Sequence, residues 1–225
     1  MGGIVTTLDT EVGTLPCERP GLGYRVAKRA FDIVFSIIVI VILVIPCIVL
    51  SIFVAFDTKS SPLYLQERIG RGGKSFRIVK FRTMVRSSDM VEQHLSPEQL
   101  VEWHAERKVT DDPRITRLGR ALRASSLDEL PQFLNVLAGQ MSIVGPRPIT
   151  EEELHWLGSD LDEFLSVPMG ITGLWQVTTR HDEPASFTDG TRQEIELRYV
   201  RERCIRLDAR ILARTFGAMF GKRNG

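Results

Sequence analysis

The strongest pattern in the chain runs from Ala30 to Phe56, where Ile, Val, Leu and Phe follow one another almost without interruption. Such a run is long enough to cross about 30 Å of hydrocarbon, so it predicts a membrane segment. Pro46 falls near its middle, where it removes one helical hydrogen bond and favours a kink. Two topologies are open. Hydropathy alone favours a simple span. A helix broken at Pro46 would instead re-enter and leave on the side it came from. Arg25, Lys28 and Arg29 precede the run, and the positive-inside rule puts that side in the cytoplasm. Asp32 follows Arg29 and Lys28 by three and four residues, which predicts a charge pair at the headgroup level.

Before this segment, Met1 to Tyr24 is rich in Gly, Thr and Pro without apolar periodicity and reads as a flexible tail, not a signal peptide. The segment itself is bounded at 25–57, and 58–225 remains as one domain. There, L-Y-L-Q-E-R-I and S-F-R-I-V-K-F-R-T-M flank G-R-G-G and predict a β-hairpin. Arg86 to Val109 is polar and reads as an insertion, with His94 and His104 as solvated helix residues. Arg114, Arg117, Arg120 and Arg123 recur at every third position, one basic stripe if helical, with Arg114 and Arg117 suited to anionic lipid. Thr150 to Phe164 sets Leu154, Leu157, Leu161 and Phe164 on one face for core packing. The last stretch sets Leu207, Ile211, Leu212, Phe216 and Met219 against Arg206, Arg210 and Arg214. That is a basic amphipathic helix, for the membrane interface or for the core. The fold class is α+β, mostly helical, with a short hairpin.

The chemistry concentrates between Arg120 and Pro148. Asp128 and Glu129 are adjacent, and Leu130, Phe133, Leu134, Leu137 and Met141 recur at helical spacing after them, with Gly139 as a stop. Pro131 predicts a helix that begins close to Asp128, whose dipole would keep the acids ionised. Ser126 with Glu129 also fits a capping box, so both side chains could merely satisfy backbone donors. What favours chemistry is the surrounding charge. Arg120, Arg123 and Arg147 bracket the pair, and V-G-P-R-P holds Arg147 between two prolines. A carboxylate pair among arginines suits phosphate chemistry, with one acid attacking or holding a metal.

Composition narrows this further. A net charge of +1 over 225 residues argues against a nucleic-acid partner held by bulk attraction. The three cysteines show no disulfide framework or zinc signature, which points to a reducing compartment.

The motifs S-L-D-E-L-P-Q and N-V-L-A-G-Q-M-S-I-V-G-P-R-P, with K-F-R-T-M upstream, resemble the bacterial sugar transferase family of monotopic phosphoglycosyl transferases. The resemblance extends from about Lys28 to about Phe216. It implies the re-entrant topology, with the globular part on the cytoplasmic face of the bacterial inner membrane. It also implies transfer of a sugar 1-phosphate from a UDP-sugar to polyprenyl (undecaprenyl) phosphate with release of UMP, an early step of bacterial glycan or exopolysaccharide synthesis. By the same resemblance Asp128 is the nucleophile, Glu129 holds Mg²⁺, and Lys80, Arg123 and Arg147 bind phosphate, with Arg82 a weaker match. Trp175, Gln176 and Arg180 resemble a further family element, in which Thr179 stands where glycine is usual; Arg180 is the expected nucleotide contact. Membrane lipids are implied partners, and a homodimer is compatible with everything above. The rival readings are a membrane-bound nucleotide-sugar phosphohydrolase and a non-catalytic membrane-anchored interaction module.

Overall fold

The computed structural model describes residues 20–106, 109–178 and 191–220. Most of the expected tail therefore lies outside the described residues. The first helix, α1 (Leu22–Thr58), begins a little before the expected segment and carries its apolar run with almost none of it buried. Val41, Ile42 and Ile45 are each about two-thirds exposed, a surface that water would penalise and lipid would not. Pro46 lies inside α1, so the expected break is not a break of secondary structure. One lost backbone bond leaves the flanking ladder intact, and the Ser51 hydroxyl donates to the Cys47 carbonyl just beyond it (2.7 Å).

The chain divides into two compact units. Of the described residues, the first comprises 20–39, 67–78, 132–178 and 191–220. At its centre β3 (Met141–Val144) and β4 (Met169–Thr172) pair in parallel, with Met141 opposite Met169 and Val144 opposite Thr172. All four residues of β3 are buried, so neither face shows the alternation by which a half-exposed strand is read. Met141 thus belongs to a strand and not to the preceding helix. That helix, α4 (Gln132–Leu137), ends with Gly139 at φ +77°, as its sequence predicts. Its buried positions are Gln132, Asn135 and Val136, whereas Leu134 is exposed. Asn135 is inside because its amide donates to the Arg77 carbonyl (2.8 Å) and to Gln140 Oε1 (2.7 Å).

Around this sheet pack α6 (Leu174–Thr178), α7 (Thr191–Glu202) and α8 (Ile205–Phe220). Leu207 and Ile211 are buried with Val136, Ile143 and Tyr199, so α8 packs on the core, with Arg206 exposed and Arg210 and Arg214 half-buried. Leu157 and Phe164, the latter at the end of the short α5 (Leu161–Phe164), join Ile69, Ile149 and Met169 in a second cluster, with Leu154 and Leu161 against it, as their spacing predicts. Asp32 does not pair with Lys28 or Arg29. It is buried and accepts from the Ser142 hydroxyl (2.8 Å) and the Ile143 N–H (3.1 Å). Lys28 instead pairs with Asp208 (2.8 Å), and Arg29 donates to the Val136 and Leu137 carbonyls, the open C-terminal carbonyls of α4. Cys204 is disulfide-bonded, against the expectation of free thiols, while Cys47 is free. Cysteine usage therefore carries no argument about compartment.

The second unit comprises 40–66 and 79–131. Its core joins Val54 of α1, with Cys47 and Leu50 beside it, to Phe81, Leu122, Leu118 and Leu130. The predicted hairpin forms from β1 (Leu63–Ile69) and β2 (Ser75–Phe81). Between the hairpin and the dyad, α2 (Pro97–Glu106) packs Leu100 and Trp103 on Val91, Leu95 and Val109, so the polar insertion has a small core of its own. The basic stripe divides. Arg117, Arg120 and Arg123 lie on α3 (Arg117–Ser125), but Arg114 precedes it and is buried against Asp112 (2.6 Å), donating also to the Ser88 carbonyl. A buried arginine with a carboxylate partner is a fold element, not a lipid contact.

Candidate active site

Asp128 and Glu129 sit on a 3-10 turn, Leu127–Glu129, and not in a helical first turn. Ser126 creates it by adopting the left-handed conformation (φ +58°), which ends α3 and redirects the chain. A non-glycine residue there costs roughly 1 kcal/mol, a strain typical of positions that hold functional groups. The Ser126 side chain makes no cap bond, so the capping box is not formed. With α4 starting only at Gln132, the acids also lack the helix dipole expected beneath them.

Electrostatics follow from that placement. Burial pushes the Asp128 carboxyl above the usual aspartate range, and the charge of Glu129 beside it adds to the effect. Lys80 and Arg123 act in the opposite direction. The Lys80 ammonium lies 3.5 Å from Glu129 Oε1, at the outer edge of a hydrogen bond. Two cations therefore offset two acids, and ionisation of Asp128 depends on them.

The K-F-R-T-M strand end and α3 are built as one piece. Thr83 is buried; its hydroxyl accepts from Arg123 Nε (2.9 Å) and its carbonyl from the Thr116 N–H (3.1 Å). Thr116 in turn caps α3 through the Gly119 N–H (2.8 Å). Gly119 is required by this docking, since a Cβ there would meet the Thr83 carbonyl oxygen at 2.1 Å. Thr83 was not singled out from sequence; its place inside a basic strand end next to Lys80 is the signal that points to it.

The second unit thus brings together Lys80, Arg123, Asp128 and Glu129. Arg82 is engaged elsewhere: its Nε donates to the Ser61 carbonyl (3.0 Å) and its guanidinium lies 5.3 Å from the Tyr64 ring. Arg120 is exposed on α3. Arg147 belongs to the first unit, exposed between the buried Pro146 and Pro148, with its backbone N–H donating to Glu196 (3.1 Å). The loop is anchored by Gly145 and Gly170, whose backbones touch: a Cβ on Gly170 would meet the Gly145 nitrogen at 2.2 Å. Trp175 packs on the core with Arg192 over its ring (5.8 Å), and Arg180 lies outside the described residues.

Among the described residues no group of three His, Cys, Asp or Glu could enclose a metal. Magnesium needs less. It is commonly held by one or two carboxylates together with substrate phosphates, and Asp128 and Glu129 supply such oxygens.

A long lipid-compatible helix occurs here in one chain with a carboxylate pair faced by lysine and arginine, a set of groups suited to phosphate esters at a membrane surface. The chain belongs to the bacterial sugar transferase family, whose model matches residues 23–222. It is 41% identical over 204 residues to a UDP-galactose-lipid carrier transferase of Erwinia amylovora, a match spanning 89% of this chain and 42% of that protein. It is 38% identical to the exopolysaccharide production protein ExoY of Sinorhizobium fredii, covering 86% of this chain and 85% of the relative. Over 161 residues it is 44% identical to the undecaprenyl-phosphate galactose phosphotransferase of Salmonella typhimurium, covering 70% of this chain and 34% of that protein. The chain thus spans less than half the length of the Erwinia and Salmonella proteins.

Proposed function

We propose that the chain transfers a sugar 1-phosphate from a UDP-sugar to polyprenyl (undecaprenyl) phosphate and releases UMP. The observation that carries this is the Asp128–Glu129 pair on its fixed turn, faced by Lys80 and Arg123, in a chain of the sugar transferase family. An Asp128 carboxylate oxygen attacks the phosphorus that bears the sugar, and the bond to the UMP oxygen breaks. A phosphate oxygen of the polyprenyl phosphate then attacks the same phosphorus, freeing Asp128 and leaving a lipid diphosphate sugar. Lys80 and Arg123 offset negative charge on the phosphoryl oxygens. Glu129, together with substrate phosphates, would hold Mg²⁺, which would supply further charge neutralisation.

The reading includes a re-entrant α1, with the catalytic residues on the cytoplasmic face. It is supported by Asp32, at the start of the apolar run, which is bonded to Ser142 and Ile143, residues that follow that run in the chain. A helix crossing completely would separate them by the thickness of the bilayer. Cysteine labelling at positions flanking α1 tests this; ends on opposite faces would overturn it.

The chemistry is tested by UMP release from a panel of UDP-sugars with Mg²⁺, with and without undecaprenyl phosphate, for wild type and Asp128→Asn. Release that requires the lipid and is lost in the variant is expected, together with a mass increase of one phospho-sugar on wild type without acceptor. Full turnover without lipid would make the protein a hydrolase, and normal turnover in Asp128→Asn would remove the nucleophile.

A further inference from the structure

Arg123 is held at one point only. Its Nε donates to the Thr83 hydroxyl, and its terminal nitrogens have no hydrogen-bond partner among the described residues. The guanidinium feels the charge of two carboxylates, Asp128 and, less strongly, Asp112. A cation tethered in this way turns toward whichever anion is less compensated. The state of Asp112 therefore bears on the dyad, although Asp112 lies outside it.

Asp112 belongs to the neck of the polar insertion. The Val85 N–H donates to the Arg114 carbonyl (3.0 Å), Met84 bridges Ile115, and the Thr116 N–H reaches the Thr83 carbonyl, so Arg114 to Thr116 run antiparallel beside Thr83 to Val85. Asp112 and Arg114 are both buried there. One Asp112 oxygen accepts from the Arg114 backbone N–H (2.9 Å) and Nε (2.9 Å), and the other from Nη2 (2.6 Å). Nη1 donates to the Ser88 carbonyl (3.1 Å), which fixes the fork from its far side. Burial pushes the Asp112 carboxyl up, but the bonds from Arg114 outweigh it and hold the carboxyl below the ordinary aspartate range. Asp112 is thus a buried anion compensated by one residue. Among the described residues, the other cation whose charge reaches it is Arg123.

We infer that Arg114 is a positioning residue: by holding Asp112 it leaves the Arg123 guanidinium to Asp128. The role rests on the proposed reaction, in which Asp128 attacks phosphorus, and Arg114 acts in it only through Asp112 and Arg123. Without Arg114, Asp112 becomes an uncompensated buried anion, and Arg123 turns to it. The charged groups that face Asp128 are Glu129, Lys80 and Arg123. Burial and Glu129 already raise the Asp128 pKa, so losing one of its two cations raises it further and delays its ionisation to higher pH.

The pH dependence of UMP release by the full chain, with undecaprenyl phosphate, Mg²⁺ and the UDP-sugar that wild type uses, tests this. Arg114→Met should move the acid limb up by about one pH unit, a loss of about tenfold in kcat/KM at the acid end. Asp112→Asn/Arg114→Met removes the competing anion with its partner and should return the limb to the wild-type position. Arg114→Lys, a point charge in place of the fork, should move the limb the same way by less, and carries the comparison where Arg114→Met does not fold. Thermal melting shows which variants are folded. A limb unmoved in Arg114→Met and Arg114→Lys, with turnover lowered equally at every pH, would make the pair structural only and overturn the role. So would a double variant whose limb stays with that of Arg114→Met, since Asp112 would then not be the competitor. A second measurement needs no turnover. Arg123→Met should lower the melting temperature more in Arg114→Met, or in Arg114→Lys, than in wild type, because only there is Arg123 the partner of Asp112. Equal lowering overturns the inference. Unequal lowering alongside normal turnover in Asp128→Asn supports it and places the failure in the nucleophile.

Discussion

Arg123 Nε donates to the Thr83 hydroxyl over 2.9 Å, joining the strand end of K-F-R-T-M to the helix that leads into the dyad. Thr83 fixes the direction of a cation that opposes the raised pKa of Asp128. Hydrogen bonds to charged groups contribute about 1.5–3 kcal/mol. Thr83→Val should therefore lower kcat/KM for UMP release by about ten- to a hundredfold, since each 1.4 kcal/mol is a factor of ten. Thr83→Ser should stay near wild type. Similar losses in Thr83→Ser and Thr83→Val would mean that the methyl packing, and not the hydroxyl, is what matters.

Activity should have an acid limb set by Asp128. Its folded pKa lies above the ordinary aspartate value through burial first and Glu129 second, so the nucleophile becomes ionised only as pH rises through that raised value. Glu129→Gln removes the like charge and should move the limb to lower pH in whatever activity remains, whereas Lys80→Met should move it to higher pH. The same shift has a stability sign. The folded state binds more protons than the unfolded state between the two pKa values, so stability falls as pH rises there. Asp128→Asn should consequently melt at a higher temperature than wild type at pH 7. A lower melting point would contradict the raised pKa.

Gly119 offers a test of the scaffold. A methyl group at that position would lie 2.1 Å from the Thr83 carbonyl oxygen, a backbone atom that cannot swing aside. Gly119→Ala should cost about 1–3 kcal/mol through overpacking, despite the better helix propensity of alanine. It should also reduce activity, because α3 and the Thr83 hydroxyl shift apart. Thermal melting and UMP release together check this, and a variant as stable as wild type would show that α3 docks differently.

The parts of the molecule legible in sequence are those with a period or a breaker. The apolar run of α1, the hairpin around G-R-G-G, the stop at Gly139 and the leucine face before Phe164 all follow from local pattern. The β3–β4 pair was illegible because its strands are four residues long and buried, and parallel pairing joins segments far apart in the chain. At the site, Asp128 and Glu129 stand out by charge, but their setting does not. Nothing local signals that Ser126 turns left-handed and replaces a helical first turn with a 3-10 turn. Polar groups inside the fold misled for a related reason. Asn135, Arg114 and Asp32 are buried because partners distant in sequence await them, the Arg77 and Ser88 carbonyls and the Ser142 hydroxyl, and periodicity records apolar faces only.

Glu196 carries the last prediction. It is 2% exposed; one carboxylate oxygen accepts the Arg147 N–H at 3.1 Å, and the other has no hydrogen-bond partner. Burial raises its pKa to about 7, against the opposing charges of Arg192 and Arg147. Protonation therefore favours the folded state below neutrality. Stability from this group is present at pH values below the ordinary glutamate range and is lost as pH rises through about 7. A shift of this size corresponds to about 3 kcal/mol, at 1.36 kcal/mol for each unit. Glu196→Gln keeps an uncharged acceptor for the Arg147 N–H and removes the titration. Between pH 5 and about pH 7 the melting temperature of wild type should fall relative to that of Glu196→Gln, and from there to pH 8.5 the difference should stay level. Parallel curves for the two proteins would show that Glu196 titrates at its ordinary value, and that its unpaired oxygen is reached by water.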